Sequence, residues 1–82
     1  MGAFERAGEL ARKKIYRDSL LRMRRGAAET REMLGMIGAD TCLIRAADMR
    51  LMELNNAITR AGDEIFAMEQ EMGIGREGET GE

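Results

Sequence analysis

Few side chains in this chain could do chemistry, and their types restrict it sharply. The 82 residues include no His and a single Cys, so the usual zinc and haem ligand sets cannot be assembled. A di-iron bundle site needs Glu-x-x-His pairs on facing helices and fails for the same reason. Asp63, Glu64, Glu69 and Glu71 form the one carboxylate group dense enough for a hard cation; at helical spacing they read as a solvated acidic face. No metal and no cofactor is expected.

Cys42 falls at the start of a predicted helix, a position where a dipole can activate a thiol. With no His to serve as base, it reads as a turn thiol, with an intersubunit disulfide or redox contact as the other use. The phosphate-cradling Gly-x-x-x-x-Gly-Lys loop and the dinucleotide fingerprint are both absent. The sequence therefore predicts a protein that is not an enzyme.

Two binding chemistries remain. Arg12, Lys13, Lys14, Arg17, Arg22, Arg24 and Arg25 place seven cations against one acid, Asp18, within fourteen residues, and Tyr16 among them could stack on a base. Nucleic-acid binding through this segment is the alternative reading, weakened because the cations project around most of a helix and Glu9–Lys13, Asp18–Arg22 and Arg25–Glu29 sit four apart, where they can pair locally. The second chemistry is apolar. Of eight methionines, Met36, Met49 and Met52 fall near one end and off the predicted core, as does Phe66. Flexible, polarisable surfaces of this kind suit protein binding, so these four are the candidate partner-binding residues.

The elements that must carry these residues are two helices. From Ile44, steps of three and four give Ala47, Leu51, Leu54, Ile58, Ala61, Ile65, Met68 and Met72 without a polar interruption, the heptad seam of a helix packed on another. A first helix over about 3–37 carries a matching seam at Tyr16, Leu20, Met23, Ala27, Thr30, Leu34 and Ile37. That seam fails at Lys13, while Phe4, Ala7, Ala11 and Ile15 occupy another face, which leaves open a bend or break near Arg17–Ser19. Residues 38–41 form the turn: Gly38 suits a left-handed residue after the first helix, and Asp40 or Thr41 suits the next N-cap. The second helix runs over about 41–72 and ends at Gly73, with Ile74 folding back on Met68. Residues 1–74 thus form one helical hairpin, and 75–82 a disordered acidic tail.

Charge supports a reversal of the chain. Residues 1–37 hold nine Lys/Arg against five Asp/Glu (+4), and residues 38–82 hold four against ten (−6), as expected for two elements lying together. An antiparallel pairing whose facing numbers sum to about 81 sets Leu34 on Ala47, Ala27 on Leu54 and Leu20 on Ala61, large against small. Arg17, Arg24 and Arg31 then approach Asp48, Asn55 and Glu69 along one edge. The other edge is apolar or small, with Phe4, Ile15, Gly26, Met33, Leu43 and Ala57 as candidate self-association residues. A two-helix seam is a small core for so many ordered residues, so the hairpin is expected to dimerise into a four-helix bundle.

The predicted fold class is therefore all-α, an antiparallel helical hairpin with coiled-coil-like packing. The predicted role is a non-enzymatic protein that binds itself and another protein, as an adaptor, small chaperone or assembly component. No apolar run approaches the ~20 residues of a membrane span, and Arg6, Arg12, Lys13 and Lys14 interrupt any secretory leader. With no disulfide possible within the chain, a cytoplasmic location and no membrane partner are expected.

Overall fold

Two helices, α1 (Ala3–Met36) and α2 (Thr41–Met72), lie antiparallel against each other in the computed structural model, which describes residues 2–73. The expectations for Ile74 and for the tail at 75–82 fall outside the described residues. α1 is unbroken through Arg17–Ser19. Its sequence explains this: there is no Pro, and the run is dominated by Ala, Leu, Met, Arg and Glu, the residues that lose least on entering a helix.

The turn is closed by backbone geometry. Gly38 takes φ +68, the left-handed conformation that a side chain resists, and stops α1. Its N–H donates to the Gly35 carbonyl at 3.3 Å and the Ala39 N–H to the Leu34 carbonyl at 3.0 Å, the paired bonds of a Schellman ending. Asp40 occupies the N-cap of α2, but its carboxylate makes no capping hydrogen bond. The Leu43 and Ile44 N–H groups instead donate to its backbone carbonyl. Gly73, at φ +79, ends α2 in the left-handed region as Gly38 ends α1.

All nine seam residues of α2 are turned inward: Leu54, Ala61, Ile65 and Met68 are buried, and Ile44, Ala47, Leu51, Ile58 and Met72 half-buried. They form two clusters. Leu20 packs with Leu54 and Ala61, flanked by Ala27, Ala57 and Ile58. Leu10 packs with Ile65 and Met68, flanked by Met72.

The seam of α1 is a correction to the sequence reading. Leu20, Ala27 and Leu34 face α2, but Tyr16, Met23, Thr30 and Ile37 are exposed, at 57% for Tyr16, 50% for Met23 and 70% for Ile37. The column that accompanies Leu20 inward is Leu10, Arg17, Arg24 and Arg31. Two columns flank the shared residues, and α1 turns toward the one containing Leu10. That choice buries Leu10, and it lets Arg31 donate from Nε to Asp48 at 2.6 Å and Arg24 from Nη1 to Asn55 at 3.1 Å. The alkyl stems of the arginines cover the seam while their heads reach polar partners. Arg31–Asp48 and Arg24–Asn55 are pairs expected along this edge, and Leu20 shares a cluster with Ala61 as the pairing requires. Glu69 pairs with Lys14 at 3.1 Å and not with Arg17, whose guanidinium lies 3.7 Å from Asp18.

Gly62 is half-buried inside α2, and a Cβ added there meets nothing within 4 Å. Glycine within a helix costs about 0.5–1 kcal/mol relative to alanine. Gly62→Ala is therefore expected to raise the thermal midpoint by several degrees, read by circular dichroism; no gain would mean that α2 is not continuous at this point.

Candidate interaction surface

The rotation of α1 gives the hairpin two unlike broad sides. One carries the cross-helix contacts Arg31–Asp48, Arg24–Asn55 and Lys14–Glu69. The other is a shallow groove running most of the molecule's length. Heptad steps build its walls. On α1 the column Glu9, Tyr16, Met23 and Thr30 lines it; on α2 the column Arg50, Ala57, Glu64 and Glu71 does so. The floor is low because Ala27, Ala47 and Ala61 occupy it.

The groove is zoned. Its part toward the turn, a hollow of about 320 Å³, is bounded by Met23, Gly26, Ala27, Thr30, Ala47 and Arg50, so Arg50 is the one ionisable wall residue there. Its part toward the chain ends is charged. Lys13 lies 3.0 Å from Glu64, and Arg6 pairs with Glu71, with Glu9 and Arg12 beside them. A Cβ on Gly26 also meets nothing within 4 Å, so nothing in the single chain explains a glycine at this point on the wall.

The six candidate self-association residues divide. Gly26 and Ala57 lie on the groove side, and Met33 and Leu43 continue its two walls toward the turn by heptad steps, both exposed. Ile15, one residue round from Tyr16, projects away from α2, and Phe4 is 93% exposed. Tyr16 and Met23, read from the sequence as seam residues, line the groove instead. The signal lies one heptad further back, where the competing column offers Leu10 and the assumed one Glu9.

The four candidate partner-binding residues, Met36, Met49, Met52 and Phe66, are all exposed, but they do not converge. Phe66 is fourteen residues from Met52, about 21 Å along α2, and Met36 projects outward from α1. Of the seven candidate nucleic-acid residues, Lys13, Lys14 and Arg17 are engaged with acidic side chains and Arg24 with Asn55. Arg12, Arg22 and Arg25 have no acidic partner within 4 Å among the described residues. Cys42 is exposed in the first turn of α2. Among the described residues, no group of three His, Cys, Asp or Glu side chains converges as metal ligands would, and no helix is long and apolar enough to cross a membrane.

The molecule is thus a two-helix all-α hairpin with one polar broad side and one grooved side that is mostly apolar toward the turn and charged toward the chain ends. Comparison with protein-family models, with curated proteins and with solved structures finds no match to this chain.

Proposed function

We propose that this protein is a non-enzymatic interaction module: a helical hairpin that associates with itself into a four-helix bundle and presents the bundle to another protein, as an adaptor, small chaperone or assembly component. The observation that carries the reading is the width of the apolar stripe on α1. A helix in a bundle touches two neighbours and carries apolar residues beyond the face it turns to one of them. In α1 the column Glu9, Tyr16, Met23, Thr30 and Ile37 is exposed, and three of its five residues are large and apolar although α2 leaves them uncovered. Exposed apolar area of this extent is rare on a protein that works alone.

The bundle leaves Met49, Met52 and Phe66 on its outside, available to a different protein. The free thiol of Cys42 fits a reducing compartment, in accord with a cytoplasmic site. Sedimentation equilibrium tests the reading directly: the full chain is expected at about twice its mass of 9.2 kDa at micromolar concentration. A single 9.2 kDa species across that range would dismiss it.

The second reading, nucleic-acid binding, rests on Arg12, Arg22 and Arg25. Three free cations predict only weak affinity with a shallow salt dependence, a log–log slope near −3 or less on duplex DNA. Titration of labelled RNA and DNA at two salt concentrations measures it, and an absence of binding at low salt removes this alternative.

A further inference from the structure

The geometry points to a second copy of this chain as the occupant of the groove, stacked with both turns at the same end so that α1 of each copy lies over α2 of the other. This rests on the self-association proposed above and goes further, because it assigns the face and the orientation.

Area is the first argument. α1 is about 51 Å long, and two helices side by side are about 20 Å across, so the grooved side offers on the order of 1,000 Å² per copy. A stable interface needs roughly 800 Å² from each partner. The opposite broad side is of equal size, but its cross-helix contacts at Arg31, Arg24 and Lys14 are spread along its length, whereas those of the grooved side, Lys13–Glu64 and Arg6–Glu71, are confined to the open end.

Orientation follows from zoning. With the turns together, the apolar half of the groove meets its own equivalent and the charged half meets its own. With the turns apart, the Met33 and Ile37 end would lie over the Arg6, Glu9 and Lys13 end and bury charge against hydrocarbon, which costs free energy unless each charge finds a partner.

Stacking α1 over α2 also satisfies charge and size. At the open end the wall of α1 contributes Arg6, Arg12 and Lys13 against Glu9, and that of α2 contributes Glu64 and Glu71. A cationic wall therefore settles on an acidic one, and the intrachain pairs can extend into a network. Near mid-length, the large α1 residues Tyr16 and Met23 fall over the small α2 residues Ala61 and Ala57. Facing large and small residues fill space without voids. The open space beside Gly26 then receives the second copy's α2.

Single cysteines distinguish the arrangements. With residues 24 and 55 level with each other, residue 19 of α1 stands level with residue 60 of α2. Ser19 is one heptad from Gly26 on the same wall, and Arg60 borders the groove on the other. Within one chain these two positions project from the far sides of their helices, on the order of 14 Å apart, well beyond disulfide reach. Ser19→Cys and Arg60→Cys are made separately in a Cys42→Ser background, oxidised alone and mixed, and read on non-reducing gels with sedimentation alongside. The expected result is a covalent dimer in the mixture and little in either variant alone. Cross-linking of each variant to itself would place the turns at opposite ends and overturn the proposal. A dimer by sedimentation that yields no cross-link in any mixture would overturn the assigned face while leaving self-association in place. A monomeric wild-type chain would remove both.

Discussion

Leu54→Ala is expected to destabilise the hairpin by about 3–4 kcal/mol, in the upper part of the ~2–5 kcal/mol range for truncating a buried leucine. The reason lies in its neighbours. Leu54 packs with Leu20 in a cluster whose other members include Ala27, Ala57 and Ala61. Alanines have no side-chain length with which to close the space, and helices held by two seams cannot collapse locally without moving both. The cavity term therefore persists alongside the lost transfer free energy. For a domain of this size each kcal/mol is worth about 4–8 °C in thermal midpoint, so a fall of roughly 12–30 °C is expected by circular dichroism at fixed chain concentration. Fixing the concentration matters, because a self-associating chain has a concentration-dependent midpoint. Met52→Ala is the control: it changes an exposed residue of the same helix and is expected within ~0.5 kcal/mol of the parent. Equal effects from the two would mean that Leu54 does not hold α1 and α2 together.

The contrast between α2 and α1 explains how much of this molecule can be read in its residues. α2 presents two uninterrupted apolar columns with polar residues beside them, so one face satisfies the burial requirement and periodicity identifies it. The turn is equally legible, since Gly38 followed by Asp40 supplies a left-handed stop and an N-cap position. α1 is different. Leu20, Ala27 and Leu34 can be joined by the column of Tyr16, Met23 and Ile37 or by that of Leu10, Arg17, Arg24 and Arg31. Hydropathy alone favours the first. The second prevails because an arginine's hydrocarbon stem can cover a seam while its head reaches Asp48 or Asn55 across it, a two-sided property that depends on what the facing helix offers. Periodicity scores each helix in isolation and cannot register that. The groove was hidden by the same ambiguity, since its wall is the column taken for core. Gly26, Met33, Leu43 and Ala57 are legible beside the groove because heptad steps place them there, whereas Ile15 falls on the face away from α2 once α1 turns its Leu10 column inward.

The column displaced from the seam makes the second large effect. Replacing both Tyr16 and Met23 by Glu is expected to convert the dimer to a monomer, shifting the sedimentation mass from about twice to one times 9.2 kDa at micromolar concentration. Within a single chain the two side chains are half-exposed or more, so their replacement removes little of the intrachain core, and Leu10, Leu20, Leu54 and Ile65 remain in place. In the dimer the change occurs in both copies, bringing two carboxylates against each α2 wall, where Ala57 and Ala61 lie beside Arg60 and Glu64. A carboxylate taken out of water without a partner costs several kcal/mol, and each opposing wall offers Arg60 and Arg50 but also Glu64, which repels the two carboxylates brought to it. Dissociation is the cheaper outcome. The monomer is also expected to melt lower, and its midpoint to lose the dependence on concentration that mass action imposes on the parent. Glu introduced instead at Met49 and Met52, on the outside of α2, is expected to leave the mass unchanged. If the Tyr16/Met23 double variant still sedimented as a dimer, the exposed Tyr16 and Met23 of α1 would have no part in assembly, and their exposure would require a partner other than a second copy.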